Sequence, residues 1–462
     1  MFRTKVQVSI LAVGMIVGVA ATPATAADIT AGSCSQAHIQ AAVNAATDGA
    51  TVNVPAGNCT WSGTEDLVKV ENKNITIRGA GVGNTVITRN GNFIFYVIMT
   101  GADRGNVRIT GFTFQGETTG SVFEMRSMSY NGIPSGRWRI DNNHFNYPTG
   151  QRVGVAVDGV NYGVFDHNTV TWSAGQFLLS HGFLDSETNS VFGDLLNQQP
   201  LDYGTDKFVF VEDNTFTPGG SSPVNVFDAA GGARLVYRYN TCTGCFLYNH
   251  WTRGQEMAGH VFEIYNNSWI GNSAYGIAVG AGYPVRLEGG TAVIYNNYAA
   301  NFHQDGVSTP YVFLDDRRAD GSESAGLLSS CNGSQPWDGN IESNGWPCLG
   351  QIGRAPGKSF AQLKAGQKQA SSPVYLWNNG SEPTCATGGA CTNTWGVYGT
   401  PGSHIKATPH VNGDVDYVLG GKTAKPGYTP YVYPHPRVTG VGSGGNVAGP
   451  PPPSNVHVLP NS

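Results

Sequence analysis

Six residues that share one position of a repeated strand are the first candidates for chemistry in this 462-residue chain. Each lies two residues before a recurring Asn, and they are Asp141, Asp166, Glu212, Arg238, Tyr265 and Tyr295. Alternate side chains of a strand point to opposite faces, and the neighbours Ile140, Phe165 and Val211 are apolar, so we expect the six to form one exposed column. Clustered acidic oxygens suit calcium, so Asp141, Asp166 and Glu212 are predicted to bind Ca²⁺.

A second concentration of charge falls within two repeats. It contains Asp228, Arg234, Arg238, His250, Arg253, His260 and Glu263, in a chain of which only 13% is charged. We predict that Arg238, His250 and Arg253 handle an acidic sugar, with His250 as the base, because His titrates near neutral pH. His181 is a second candidate for that catalytic role. Four further residues are predicted to contact the substrate: Arg234, Tyr265, Glu263 and Asp228.

Each of these predicted roles also has a purely structural alternative. A column of charges on a strand face also serves to prevent strand pairing with other chains. His250 alternatively makes only a hydrogen bond within its loop.

The repeat that carries the column predicts the architecture. Its aligned Asn residues are Asn143, Asn168, Asn214, Asn240, Asn267 and Asn297. A period in the twenties with one strand signature is typical of a β-solenoid. The gap between Asn168 and Asn214 is close to two periods, so a hidden strand over residues 176–183 is predicted to place Ser180 or His181 between Asp166 and Glu212. We interpret the Asn residues as structural, lying at corners with left-handed backbone angles and bonding from coil to coil.

The two ends of the chain have different characters. Residues 1–26 have the pattern of a cleaved signal peptide, which implies a secreted or periplasmic protein. The apolar stripe over residues 35–46 predicts a short helix that caps the solenoid. We assign residues 27–436 to the solenoid domain and the Gly/Pro-rich residues 437–462 to a disordered tail.

Composition limits the partners. The net charge of −5 provides no basic field, so we expect no nucleic acid partner. Beyond the first residues no segment is apolar enough to span a membrane, and we expect a monomer. Among eight cysteines, proximity favours pairing Cys34 with Cys59, Cys331 with Cys348 and Cys385 with Cys391. Cys242 and Cys245 form a local disulfide or remain two packed thiols.

The opening residues 39–57 and the repeated Tyr-Asn-Asn strands resemble the pectate-lyase-like superfamily of right-handed parallel β-helices, over roughly residues 27–436. Residues 331–354 resemble an insertion in uncharacterised exported bacterial members. The resemblance implies an all-β, single-stranded right-handed parallel β-helix. Its known catalytic motifs do not transfer: Asp315-Asp316 follows Ser180-His181-Gly182, the reverse of the galacturonase-type order. Phe165-Asp166-His167 is similar to a pectate lyase strand, but no Arg-Pro-x-x-Arg accompanies it.

Three functions remain open at this point. The first is a secreted polysaccharide lyase that cleaves a uronate polymer by β-elimination, with Ca²⁺ as its only expected cofactor. The second is a glycoside hydrolase that uses two of Asp141, Asp166 and Glu212. The third is a non-catalytic carbohydrate-binding or surface protein. Any active site is predicted on the face with Asp166, Glu212 and Arg238, under the loop with His250 and Arg253.

Overall fold

The structure is a computed structural model. It describes residues 26–63, 67–91, 93–100, 106–117, 121–127, 136–148, 153–173, 175–182, 192–219, 224–250, 252, 256–271, 283–300, 311–314, 349–355, 357–380, 395–398, 414, 416–419 and 424–439. As predicted, this chain is a right-handed parallel β-helix in which successive strands join three parallel sheets in turn.

The first sheet has 12 strands: β1 Ile29–Thr30, β2 Thr51–Asn53, β5 Thr76–Arg78, β8 Asn106–Thr110, β11 Gly136–Asp141, β14 Asn161–Asp166, β17 Val209–Glu212, β20 Arg234–Arg238, β23 Val261–Tyr265, β26 Thr291–Tyr295, β31 Val374–Trp377 and β33 Tyr417–Leu419. The second has nine: β3 Gly57–Trp61, β6 Thr85–Asn90, β9 Thr113–Glu117, β12 His144–Tyr147, β15 Thr169–Trp172, β18 Thr215–Pro218, β21 Thr241–Thr243, β24 Ser268–Ile270 and β27 Tyr298–Ala300.

The third sheet has ten strands: β4 Val68–Glu71, β7 Phe95–Met99, β10 Ser121–Ser127, β13 Val153–Asp158, β16 Gln176–His181, β19 Val224–Ala230, β22 Cys245–Tyr248, β25 Val285–Leu287, β28 Tyr311–Leu314 and β32 Gly396–Tyr398. Outside these sheets, the described residues form an antiparallel pair, β29 Arg354–Ala355 with β30 Ala370–Ser371, and four helices: α1 Gln36–Ala45, α2 Asp194–Asn197, α3 Phe360–Lys364 and α4 Pro436–Thr439.

The core is a stack of inward side chains, one set from each coil. In the third sheet, Phe95, Phe123 and Val155 are aligned by strand register and are fully buried. Aromatic rings continue the stack between sheets: the ring centroids of Phe123 in the third sheet and Phe145 in the second lie 5.4 Å apart. Because alternation fixes which residues point inward, the same register aligns the outward residues into columns.

The Asn ladder is confirmed as a structural feature. Asn214 is almost fully buried, its amide donates to the carbonyls of Phe165 and Glu212 and to Asn240 Oδ1, and its own Oδ1 accepts from the backbone N–H of Asn168. The left-handed residue of each corner is not the ladder Asn but the residue before it. These preceding residues have φ of 52–58° and are Asn142, His167, Asp213, Tyr239, Asn266, Asn296 and Asn378.

The interpretation of the 46-residue gap as two coils is wrong. Strand β14 pairs directly with β17, so Asp166 is the neighbour of Glu212 in the first sheet. Ser180 and His181 belong to β16 in the third sheet, where His181 is aligned with Asp158 and Ala230. The extra length lies between β16 and β17, and its described part, from residue 192, contains α2 and packs on the outward side of the first sheet.

The N-terminal end is closed as predicted. Ser35 caps α1 by accepting from the N–H of His38, and the helix buries Ile39, Ala42 and Val43 against the first coil. A disulfide joins Cys34 to Cys59 on β3. A second joins Cys242 to Cys245, the local disulfide of the two alternatives. The remaining four cysteines, the predicted signal peptide up to residue 25 and residues 440–462 lie outside the described residues.

Residues 424–439, which we call the C-terminal strap, add no coil to the solenoid. They run along its outer side, from Tyr428 beside Trp377 to Arg437 beside Asn106. The strap therefore crosses the outward face of the first sheet from its late strands back to β8. It ends in α4, so residues 437–439 are ordered structure rather than part of a disordered tail.

Candidate functional site

The predicted column exists, but it is not exposed. Register aligns Asp141 with Asp166, Asp166 with Glu212, Glu212 with Arg238 and Arg238 with Tyr265. All five are at most 2% exposed, so the prediction of an exposed column on this face is wrong. Neighbouring arginine side chains and the C-terminal strap cover it.

Arginines hold the carboxylates that were predicted to bind calcium. Arg108 donates to both oxygens of Asp141, at 2.7 and 2.6 Å, and Arg139 donates to both oxygens of Asp166, at 2.8 and 2.7 Å. Arg238 donates to Glu212 at 2.7 Å. Because a cation would have to displace these bidentate or buried pairs, the three residues do not fit a Ca²⁺ ion as arranged here.

Arg238 is a structural residue of the strap contact. Its guanidinium is fully buried and donates to the carbonyls of Tyr431 and Val432 as well as to the hydroxyl of Tyr265. The second oxygen of Glu212 accepts from the backbone N–H of His435. The predicted catalytic role of Arg238 and the substrate contact of Tyr265 required exposure, which this arrangement excludes.

Two further predicted substrate contacts are buried by the insertion and the strap. Arg234 is 4% exposed and donates to the Pro200 carbonyl at 2.6 Å. Glu263 is fully buried, accepts from the N–H of Gly204 at 2.7 Å and from the Tyr428 hydroxyl at 2.6 Å. These side chains therefore fasten the covering segments to the first sheet instead of facing a groove.

The predicted convergence of His250 and Arg238 is also wrong. Arg238 lies on the outward face of the first sheet, whereas His250 comes two residues after the end of β22 in the third sheet. A corner of each coil separates the two sheets. Arg253, the third member of the predicted catalytic group, lies outside the described residues.

The third sheet carries the polar outward face that the first sheet lacks. We call it the polar strip and define it by four pairs of side chains: Arg126 with Glu124, His181 with Asp158, His250 with Asp228, and Arg286 with Glu288. The pairs come from strands β10, β13, β16, β19, β22 and β25 or from the residues that follow them, so they succeed one another along the helix axis.

His250 and Asp228 form the most buried pair of a histidine with an acid in the polar strip. The His250 Nδ1 lies 2.7 Å from Asp228 Oδ1, and the Gln176 amide donates to the other Asp228 oxygen at 3.1 Å. Asp228 is fully buried, while the His250 side chain is 15% exposed. A carboxylate at Nδ1 selects the tautomer with the proton on Nδ1, which makes Nε2 the basic nitrogen.

Tyr248 lies next to His250 on the same face, with ring centroids 5.1 Å apart. Its hydroxyl donates to Glu288 at 2.9 Å, and the guanidinium of Arg286 lies 5.3 Å from its ring centroid. Burial and the negative charge of Glu288 raise the pKa of Tyr248 well above its ordinary value. The phenol therefore retains its proton at working pH and can give it only to an oxygen that becomes strongly basic, as a leaving alkoxide does.

The buried Asn249 fixes the position of Tyr248 and His250. It lies between them in sequence and points inward, where its Oδ1 accepts from the Glu288 N–H at 2.6 Å and its amide donates to the Gly289 carbonyl at 3.1 Å. This ties the end of β22 to the next coil, so both outward side chains stand on a rigid element.

The nitrogen-bearing side chain is the more exposed partner in each pair of the polar strip. The side-chain exposures are 25% against 10% for Arg126 and Glu124, and 30% against 27% for His181 and Asp158. They are 15% against 0% for His250 and Asp228, and 19% against 0% for Arg286 and Glu288. Solvent therefore meets side-chain nitrogens whose partner carboxylates are equally or more deeply buried, and the two arginines among them favour an anionic ligand.

His181 carries more positive character than an ordinary histidine. Burial by itself lowers its pKa, but the hydrogen bond to Asp158 and the charges of Asp158, Glu256 and Asp228 raise the pKa above its usual value. His181 lies on the same outward face of the third sheet as His250. The sequence did not indicate that the two histidines share a face. It is better suited to hold an anion than to act as a base.

Sequence reasoning missed Tyr248, Arg286, Glu288 and Asp158. The available signal was the pattern of Tyr248-Asn249-His250, in which two chemically able residues flank a buried corner Asn. In the described part of the chain, no group of three or more His, Cys, Asp or Glu side chains could hold a metal ion. None of the helices described is long and apolar enough to cross a membrane.

Comparison with known proteins finds similarity only at the level of solved structures. No family model matches the chain, and no curated protein matches it. An alginate lyase from Paenibacillus sp. str. FPU-7 is 14% identical, with a TM-score of 0.33, over 62% of this chain and 93% of that one. The PL6 family polysaccharide lyase Pedsa3628 from Pseudopedobacter saltans is 14% identical, with a TM-score of 0.34, over 76% of each chain.

The PL6 family alginate lyase AlyGC is 18% identical, with a TM-score of 0.31, over 62% of this chain but only 40% of its own length. This chain therefore spans less than half of that enzyme. These likenesses concern the parallel β-helix itself and assign no activity to this chain.

Proposed function

We propose that this protein is a polysaccharide lyase that cleaves a uronate-containing polymer by β-elimination at the polar strip. The observation that carries the proposal is the juxtaposition of His250, held by buried Asp228, with Tyr248 and Arg286 on the outward face of the third sheet. These groups supply a base, an acid and a cation, the three functions that β-elimination from a uronate requires.

The reaction assigns one role to each group. Arg286 binds the uronate carboxylate and stabilises the negative charge that develops on it. His250 Nε2 removes the proton on the carbon next to that carboxylate. The electron pair forms a carbon–carbon double bond as the bond to the glycosidic oxygen breaks, and the Tyr248 hydroxyl gives its proton to that oxygen. Water then returns the proton from His250 to Tyr248.

The buried carboxylates support these roles without touching the substrate. Asp228 fixes the tautomer of His250 and stabilises the imidazolium that forms. Glu288 holds the Tyr248 hydroxyl by a hydrogen bond and pairs with Arg286. Both are positioning residues, since each is fully buried at its side chain.

The test is incubation with pectate, alginate and glycosaminoglycans, read at the ultraviolet absorbance of the unsaturated product. Wild-type protein should produce this absorbance on at least one uronate polymer, and His250→Gln and Tyr248→Phe should abolish it. Arg78→Gln is the matched control, because Arg78 is an exposed cation on the first sheet. Reducing ends without absorbance would replace the proposal by a hydrolase, and binding without product would replace it by a carbohydrate-binding protein.

We also propose that the protein acts outside the cytoplasm, as residues 1–26 indicate. N-terminal sequencing of protein secreted or exported by its host should give a mature start near Ala27. Retention of the initiator Met in the exported protein would contradict this.

A further inference from the structure

Arg286, the cation of the proposed catalytic group, lies between two aromatic rings. Strand register aligns it with Tyr248 of β22 on one side and with Phe313 of β28 on the other. The guanidinium carbon lies over both rings, 5.3 Å from the ring centroid of Tyr248 and 4.7 Å from that of Phe313. The proposed reaction gives a role to Arg286 and to Tyr248 but none to Phe313.

A buried carboxylate holds the same guanidinium from below. Glu288 pairs through one oxygen with Arg286 and accepts from the Tyr248 hydroxyl through the other. The Glu288 side chain is fully buried, whereas that of Arg286 is 19% exposed. Because an arginine stacks its flat guanidinium on aromatic faces, the two rings leave the edge of the group rather than its faces for a ligand.

Phe313 stands on a rigid element. It lies on β28 between Val312 and Leu314, which are both fully buried, so strand alternation points its ring outward. On that face its ring meets Tyr283, which comes two residues before β25, at 5.4 Å between ring centroids. The ring that borders Arg286 is therefore fixed by a strand and by a second aromatic side chain.

We infer that Phe313 is a positioning and specificity residue, which confines Arg286 so that the protein takes uronates with free carboxylates and disfavours their methyl esters. This inference rests on the proposed function and deepens it by naming the class of uronate. A confined guanidinium keeps its N–H groups in one plane, where they match the two oxygens of a planar carboxylate. A methyl ester carries no charge and offers one carbonyl oxygen, so it cannot complete such a pair.

A Phe313 that serves only in packing would behave differently. Loss of its ring would then change stability, or would change the affinity for acids and esters alike, because packing does not sense the charge of a ligand. The ratio of the affinity for the free acid to the affinity for the ester, which we call the acid preference, separates the two roles.

The experiment measures binding in the full-length Tyr248→Phe protein, which lacks the proposed acid but keeps the ring beside Arg286. The probes are trigalacturonate and trimannuronate, each as the free acid, the methyl ester and the carboxyl-reduced neutral sugar. In this background, Phe313→Leu removes the second ring and Phe313→Tyr retains it. Phe246→Leu is the matched control, because Phe246 is an outward residue of β22 whose ring also contacts Tyr283. Calorimetry measures the affinities, and circular dichroism checks folding.

We expect Phe313→Leu to weaken binding of the free acids about two- to tenfold, since a long side chain that is no longer held must be ordered when the ligand binds. Binding of the esters and neutral sugars should not change, so the acid preference falls by the same factor. Phe313→Tyr should restore the preference, and Phe246→Leu should leave it intact. Arg286→Lys, which keeps the charge but not the planar group, should also lose it.

An unchanged acid preference in folded Phe313→Leu protein, an equal loss in Phe246→Leu, or no binding of either free acid would each overturn the inference. If Phe313→Leu does not fold, a full acid preference in Arg286→Lys overturns it instead. The two proposals fail separately. Unsaturated product from wild-type protein with an unchanged preference in Phe313→Leu removes only the role of Phe313. The expected loss of preference, without product from wild-type protein on any uronate polymer, removes only the lyase.

Discussion

The Nδ1 atom of His250 and the Oδ1 atom of Asp228 lie 2.7 Å apart, although 22 residues separate them in sequence. The solenoid creates this pair because β19 and β22 are neighbours in the third sheet, and both side chains point outward at its surface. Asp228 is buried by the surrounding side chains and leaves the imidazole as the accessible member. The proposed catalytic group is therefore assembled by strand register rather than by a loop.

Asp228→Asn should lower turnover strongly while leaving the fold intact. An amide in place of the carboxylate donates to Nδ1 and moves the proton of His250 to Nε2, which then is no longer basic. We expect a loss of about 10²- to 10⁴-fold in kcat, the usual contribution of a general base. Initial rates measure turnover, and circular dichroism measures folding.

Asp158→Asn is the control, since it changes only the partner of His181. Equal losses of turnover in both variants would argue against His250 as the base.

Arg238→Ala should destabilise the protein without acting on catalysis. It leaves Glu212 buried without its partner, which typically costs about 3–5 kcal/mol. Urea denaturation at neutral pH measures this free energy of unfolding. Arg78→Ala, which removes an exposed pair with Asp28, should cost less than about 1 kcal/mol. If folded Arg238→Ala protein at low temperature loses kcat, the first sheet rather than the polar strip carries the chemistry.

Acidification should loosen the strap through His435. Burial, together with the charges of Arg238, Arg437, Arg137 and Arg139, lowers the pKa of this histidine from 6.5 to about 2. Because the pKa is lower in the folded state, the unfolded chain binds a proton at this histidine below pH 6.5 and the folded chain does not. The stability from His435 is therefore complete above pH 6.5 and falls by about 1.4 kcal/mol per pH unit below it.

His435→Phe keeps the ring contact with Phe210 and removes this titration. We expect its free energy of unfolding to fall less than that of wild type between pH 7 and pH 5, by urea denaturation. Asp213 acts in the opposite sense, because burial raises its pKa to about 6 and its protonation then favours the folded state. Since both proteins retain Asp213, the difference between them isolates His435, and parallel curves would contradict the prediction.

Asn214→Ala should be among the most damaging single changes. It removes three hydrogen bonds that the side chain donates and two that it accepts at a fully packed corner, and buried carbonyls of two coils each lose a donor. We expect a loss of about 3–5 kcal/mol in the free energy of unfolding. Asn44→Ala, at an exposed position of α1, should change it by less than about 1 kcal/mol. Similar losses in the two variants would mean that the ladder has no special role.

The sequence correctly predicted the features of the fold that the alternation of side chains along a strand determines. Inward Phe165 and outward Asp166 follow from period two, and the Asn ladder follows from the recurrence of one residue at one corner. The capping helix followed from the spacing of Ile39, Ala42 and Val43. These features depend on neighbouring residues or neighbouring coils, so a linear pattern records them.

The errors arose where distant segments decide the outcome. Glu212 is covered by His435, which lies 223 residues away in sequence, and no local sequence pattern indicates that contact. The alternation of residues 176–181 fits any of the three sheets, so His181 was assigned to the wrong one. His250 and Arg238 are close in sequence, but a corner of the coil places them on different faces.

The strap also has a consequence for the order in which the molecule is completed. Coils of a solenoid normally stack on their nearest neighbours, and the first coils can form while later ones are still being synthesised. Here the outward face from Arg139 to Tyr265 receives its cover from residues 428–438, which follow all of these strands in sequence. Until those residues emerge, the arginine–acid pairs stay in water, so these coils acquire their final surface only after residues 428–438 have been synthesised.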